Sequence, residues 1–187
     1  MHHGDIRTFK SEIQRSNKMK IGLISDTHGY MDDRILHHLA DCDLVWHAGD
    51  VGNNQVIDAL ENAKNTQGVF GNIDGTEIRT RWPEFVFEEI EGVKFLMIHI
   101  AGAIERYNEK TRALISKYQP DVLVCGHSHI LKVKRDQRFK LMHMNPGAVG
   151  NHGFHKVRTF LKLDVENGKM ANLQAVELGP RSSKSID

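Results

Sequence analysis

From Met19 onward, apolar residues fall in short continuous runs separated by polar, glycine-rich junctions, and each run predicts an element. "MKIGLIS" reads as a buried strand, residues 32–40 as a helix with Ile35, Leu36 and Leu39 on one face, and "DLVWHAG" as a strand parallel to the first. Val56, Leu60 and Ala63 mark a second helix, which leads to a short strand "QGVFG" and the breaker-rich "NIDGT". After Pro83 the texture changes. "FVFEEI" and "VKFLMIHI", joined through Glu91-Gly92, predict a hairpin, and a helix around Lys110 to Tyr118 leads through Pro120 into "DVLVCG". "ILKVKRD", "FKLMHMNPG" and "VRTFLKLDVENGKMANLQAVEL" read as strands and tight turns, with Asn167-Gly168 a hairpin signal. Helices with parallel strands first and antiparallel strands later predict an α/β fold of two packed sheets with helices outside. Residues 1–18 are polar and aperiodic, an N-terminal extension or expression artefact before a natural start at Met19; residues 19–178 form one domain, and 179–187 read as a polar tail.

Composition narrows the partners. The chain has 187 residues and 40% hydrophobic content, enough for one sizeable core. Twenty-five basic residues nearly balance 24 acidic ones, so no long-range field draws the protein to genomic nucleic acid or an anionic membrane. Cys42 and Cys125 are too few for a disulfide framework, and Cys125 in "VLVCG" reads as a reduced, buried thiol. No apolar run is long enough to span a membrane, and residues 1–18 lack the apolar middle of a signal peptide. A cytoplasmic protein is expected.

Chemistry collects where the strands end. Asp26 and His28 follow the first strand, Gly49-Asp50 the second and Gly71-Asn72 the third; His99 ends "FLMIH", and "GHSH", with His127 and His129, follows "VLVC". Ligands bind outside the carboxyl ends of strands in α/β sheets, so these distant elements can converge there. Two aspartates, an asparagine and four histidines, with no thiolate, suit borderline divalent ions such as Mn²⁺, Fe²⁺, Zn²⁺ or Ni²⁺. Seven donors are too many for one ion that leaves room for substrate. Two ions sharing one carboxylate use them all, as in the pairs that clamp both oxygens of a phosphoryl displacement.

The ordered set "DTH", "GD", "GN", "H", "GHSH" resembles the calcineurin-like metallophosphoesterase superfamily, and the short chain with "NPGAVG" resembles its small bacterial and archaeal phosphodiesterase branch. The resemblance implies a four-layer αββα sandwich of two mixed β-sheets flanked by helices. It implies that Asp26, His28 and His129 hold one metal, that Asn72, His99 and His127 hold the other, and that Asp50 bridges them. The expected enzyme hydrolyses a small phosphodiester by in-line attack of a metal-bridging hydroxide, with Mn²⁺ the first choice of cation and a homo-oligomer compatible with the sequence. Many relatives carry a histidine after the asparagine of the third motif, as acid for the leaving group; here Ile73 stands there, followed by Asp74. The fourth motif also departs, reading "HIAGAIERY".

Taken singly, each motif is an ordinary turn, and only their order carries the metal reading. Other polar residues are given blander roles. His2 and His3 lie in the extension, His37 and His38 are adjacent on a helix, His47 is a strand residue, and Trp46 and Met97 belong to the core. His143, His152 and His155 flank the "NPGAVG" turn, which the resemblance places near the active site, and Arg79, Arg81 and Arg106 are candidates to meet a phosphate. Two rivals stand beside the phosphodiesterase. One is a phosphomonoesterase; the other is a non-catalytic interaction scaffold, because the same fold resembles a retromer subunit used for protein binding.

Overall fold

The computed structural model describes residues 18–181. In chain order the elements are β1 (Met19–Ile24), α1 (Asp33–Leu39), β2 (Leu44–His47), α2 (Asn54–Ala63), β3 (Asn65–Gly68), α3 (Thr76–Arg81), β4 (Phe85–Ile90), β5 (Val93–Ile98), β6 (Gly102–Ala103), β7 (Arg106–Tyr107), α4 (Glu109–Tyr118), β8 (Val122–Val124), β9 (Leu131–Arg135), β10 (Met142–Pro146), β11 (Val157–Glu166) and β12 (Lys169–Pro180). One five-stranded sheet runs β12-β11-β1-β2-β3, the other β4-β5-β8-β10-β9, and β6-β7 is a small ribbon.

Alternation along the strands makes four layers. Ile21 and Leu23 of β1 face the interlayer core with Trp46, Phe95, Met97, Val122 and Leu161, while Ile24 and Val45 point the other way onto α1, α2 and α3. Leu96, Ile98 and Leu123 back the second sheet against Ile115 of α4. The expected α/β sandwich, helix-sheet-sheet-helix, is therefore the observed one, with Trp46 and Met97 fully buried. Local chemistry sets the helix starts. Asp32, Asn53 and Asn108 each accept a hydrogen bond from the backbone N–H three residues on, at 3.1, 3.2 and 2.8 Å, capping α1, α2 and α4.

Three details depart from the sequence reading. The third strand is Asn65–Gly68 rather than "QGVFG", because the ladder with β2 ends at His47 opposite Gly68; Val69 and Phe70 supply core packing beyond it. On α2 the buried face is Val56, Ile57 and Leu60, and Ala63 is exposed. Both sheets are mixed, as expected: the second has a parallel centre, β5-β8-β10, flanked by antiparallel β4 and β9. The last strand runs to Pro180, two residues past the expected boundary. Of the supposed N-terminal extension only Lys18 is described, 2.7 Å from Asp164; residues 1–17 and 182–187, with His2 and His3, lie outside the described residues.

Candidate metal centre

All seven predicted donors meet where the two sheets end together. Asp26, His28 and His129 form one group of ligand atoms within 4.8 Å of one another, and Asp50, His99 and His127 form a second. Asn72 joins the second group, its Oδ1 3.1 Å from His99 Nε2. Each group draws residues from both sheets: Asp26, His28, Asp50 and Asn72 follow strands of the first, His99, His127 and His129 strands of the second.

The Asp50 carboxylate faces both groups. One oxygen lies 3.1 Å from His99 Nε2 and the other 3.7 Å from His28 Nε2. On the first group, His129 Nε2 is 3.2 Å from Asp26 Oδ1 and 3.2 Å from His28 Nε2. Oxygen and imidazole nitrogen atoms thus converge on two adjacent points with no lysine or arginine among them, a donor set that fits two hard-to-borderline divalent cations.

Outer contacts orient the imidazoles. His99 Nδ1–H donates to the Ala48 carbonyl oxygen at 2.7 Å, which leaves the Nε2 lone pair toward Asn72 and Asp50. His155 Nε2–H donates to the Gly150 carbonyl at 3.1 Å, so in the neutral ring its Nδ1 accepts from His129 Nδ1–H at 3.2 Å. His129 Nε2 is then also a free lone pair. Burial pulls on His99, but in the protonated ring Nε2–H donates to Asp50, and that bond with the Asp26 charge outweighs burial and raises its pKa; protonated His129 likewise gains a hydrogen bond to Asp26, which raises its own. His28 goes the other way, because burial outweighs its two carboxylate neighbours.

Backbone conformation is strained at the same positions. Asp26, His28, Asp50, His127 and His129 all have left-handed φ values between 49° and 68°. Non-glycine residues rarely adopt that region, and its concentration on five of seven donors marks a site where geometry outranks local stability. The glycines beside the donors allow close approach. A Cβ on Gly126 would lie 2.0 Å from Ser25 Oγ and 2.9 Å from Asp26 Oδ2.

The remaining candidates separate. Ile73 is half exposed, its N–H donating to Asp50 Oδ1 at 3.1 Å. Asp74 is buried and ties two loops together, accepting from Val51, Gly52 and Gly71 N–H at 3.1, 2.8 and 2.7 Å. Its carboxylate is occupied, a supporting role that its place in "NIDGT" did not disclose. Arg79 donates to the Asp74 and Gly71 carbonyls, Arg81 pairs with Asp58 and Glu61, and Arg106 is exposed on β7. His152 lies 5.0 Å from His28 ring to ring, and His155 braces His129. His143 is buried between the Tyr107 hydroxyl and Cys125 Sγ. His37 and His38 sit exposed on α1.

Two supports escaped the sequence reading. His47 accepts from Gly49 N–H at 3.1 Å on Nδ1, so Nε2–H donates to Thr27 Oγ1 at 2.8 Å, and that hydroxyl donates to the Val51 carbonyl at 2.9 Å. Asn145 of "NPGAVG" donates to the Gly126 carbonyl at 2.7 Å and accepts from Gly147 N–H at 2.9 Å, fixing the "GHSH" turn.

Comparison with known proteins bears on the family and the fold. Residues 19–168 match the family model of the calcineurin-like phosphoesterase superfamily domain. A probable metallophosphoesterase of Mycoplasma pneumoniae is 30% identical over 163 residues, covering 82% of this chain and 94% of that protein. One from Methanocaldococcus jannaschii is 29% identical over 165 residues, covering 85% of this chain and 82% of the relative. Among solved structures, wild-type Vps29 of Entamoeba histolytica complexed with Zn²⁺ superposes with a TM-score of 0.66 at 18% identity, covering 88% of this chain and 100% of that one. A novel archaeal phosphodiesterase superposes with a TM-score of 0.65 at 23% identity, covering 86% of this chain and 100% of its own.

Proposed function

Because the chain belongs to the calcineurin-like phosphoesterase superfamily, we propose that it is a phosphodiesterase that works with two divalent metal ions, Mn²⁺ before Fe²⁺, Zn²⁺ or Ni²⁺. Asp26, His28 and His129 would hold one cation, Asn72, His99 and His127 the other, and Asp50 would contact both. The observation that carries this reading is the position of Asp50, with one carboxylate oxygen 3.1 Å from His99 and the other 3.7 Å from His28. When bound, the cations supply Lewis acidity to the phosphoryl group and acidify water at neutral pH.

The chain's own residues do the rest. Asp26 and Asp50 bring the negative charge into a buried place, and His47 and Thr27 keep the two loops that carry them in register. Ala48 and His155 hold His99 and His129 in the tautomers that present Nε2. Two cavities, of about 920 and 330 Å³, border the His99 and His127 side of the cluster. A diester has two substituents to place and a monoester one, which favours the diester.

The test is hydrolysis of bis(p-nitrophenyl) phosphate and of p-nitrophenyl phosphate by protein purified without chelator, with Mn²⁺ and then with excess EDTA. Diester turnover that exceeds monoester turnover and disappears with EDTA is expected. Faster monoester turnover would make the protein a phosphomonoesterase. The Vps29 neighbours speak for the scaffold at the level of the fold; no turnover with any of the four metals would favour it.

A further inference from the structure

We propose that the 920 Å³ cavity beside Asn72 and His99 holds one ester group of the substrate, and that this group is apolar, an aryl or alkyl alcohol rather than a sugar or other polyol. The proposal rests on the phosphoesterase reading for the position of the phosphate and deepens it by naming the substrate class.

The cavity's walls are Phe70, Ile98, Ile100, Ala113 and Leu114, and it opens directly onto two of the cluster's residues. Among the described residues Asn108, Lys110 and Arg79 are engaged elsewhere, while the exposed Glu109 and Lys117 leave two charged groups without a hydrogen-bond partner among walls that are otherwise largely apolar. Lys110 is paired with Glu84, and Lys117 lies over the Tyr118 ring with its ammonium 4.8 Å from the centroid. Asn108 spends its amide on the Ile100 carbonyl and its oxygen on the Thr111 N–H. Arg79 donates to the Asp74 and Gly71 carbonyls while its guanidinium covers the Phe70 ring at 4.3 Å. A polyol entering here would lose water and find few free partners, which costs free energy for each hydroxyl left unmatched. An apolar group gains from the same walls.

Exposed apolar side chains also neighbour the cluster in sequence. An isoleucine directly follows each of three cluster residues: Ile73 after Asn72, Ile100 after His99 and Ile130 after His129, 47%, 39% and 60% exposed. Of these, Ile100 lines both cavities beside the cluster. Arg79, read from sequence as a phosphate contact, becomes instead the flat cationic wall of this cavity.

The experiment is calorimetric titration of the Mn²⁺-loaded protein with methylphosphonate, phenylphosphonate and hexylphosphonate, which share one anionic head and need no turnover. Phenyl- or hexylphosphonate should bind about 10- to 100-fold more tightly than methylphosphonate, and whichever leads identifies the alcohol as aryl or alkyl. Ala113 is exposed on α4, so Ala113→Trp puts an indole into the cavity from a position the fold tolerates; it should erase the preference and leave methylphosphonate affinity within about twofold. Ala113→Ser, which fills nothing, should keep it. Equal affinity of all three phosphonates, no binding of any, or a preference that survives Ala113→Trp would overturn the proposal. Diester hydrolysis without a preference would leave the phosphodiesterase reading standing alone, whereas a preference without any hydrolysis would leave the cavity assignment standing and remove the reading beneath it.

Discussion

Gly71 packs so closely against Asp50 that a Cβ on it would lie 2.0 Å from Oδ1 and 2.3 Å from the backbone nitrogen. Its own backbone lies outside the left-handed region, so alanine is conformationally acceptable there and only the contact forbids it. Gly71→Ala should therefore displace the carboxylate that faces both groups. The expected result is a loss of turnover on the order of 10²-fold, with a stability cost of about 1–3 kcal/mol from overpacking. Parallel assays of activity and thermal melting check it; unchanged turnover would mean that Asp50 tolerates displacement.

Replacing the shared carboxylate should differ from replacing a histidine of one group. Asp50→Asn removes the charge that screens two cations from each other and should lower metal content toward zero, whereas His129→Ala should lower it toward one ion per chain. Elemental analysis of both variants, alongside turnover, decides this. Full metal content with unchanged turnover in Asp50→Asn would sink the two-metal arrangement.

Ile73 cannot protonate a departing alkoxide, and Asp74, bound by three backbone amides, is not free to do so. The rate should then depend steeply on leaving-group pKa, with nitrophenyl diesters far ahead of alkyl diesters. Ile73→His should flatten that dependence, raising alkyl diester rates by up to roughly 10²- to 10⁴-fold, the usual contribution of a positioned acid. A series of diesters graded by leaving group provides the measurement. A flat dependence in the parent protein would show that another group supplies the proton.

Burial and the Lys132 charge push the His143 imidazole down to about 4 from an ordinary 6.5. The unfolded chain takes up this proton near pH 6.5, while the folded chain refuses it until about pH 4, so this contribution is complete above 6.5 and falls as pH drops toward 4. Melting temperature in chelator should decline across that window, and His143→Phe, which retains a ring beside Tyr107, should show a shallower decline. Parallel slopes for the two proteins would place the acid sensitivity elsewhere.

The donors were legible because each follows an apolar run and three of the seven directly follow a glycine: Asp50 after Gly49, Asn72 after Gly71 and His127 after Gly126. The close approaches at Gly71 and Gly126 explain that association physically. Their supports were not legible, because Thr27, His47, Asp74 and Asn145 act through hydrogen bonds to backbone groups distant in sequence, and nothing in the local pattern announces them. The third strand was displaced for a related reason. Apolar content reports burial, which Val69 has, and not membership of a ladder, which ends at Gly68. The helix α3 buries only Ile78 and so has no period to read, and β6 and β7 are two residues each. The parallel pairing of β8 with β10 is reached through the antiparallel strand β9 rather than through a helix, which defeats the rule that alternation signals parallel strands.

The two sheets differ in how the chain enters them. Every strand of the second sheet comes from one continuous stretch, Phe85–Pro146, while the first sheet is split, its β1 waiting between β2 and a partner, β11, that leaves the ribosome only after the whole second sheet. The inner stretch can collapse as a unit during synthesis, whereas β1 remains an unpaired edge until residue 157 has emerged. Asp26 and His127, 101 positions apart, meet only where the two sheets pack together. The order of assembly thus has a direction: closure of the discontinuous sheet is the slow, non-local event, and no chain ending before β11 can complete it.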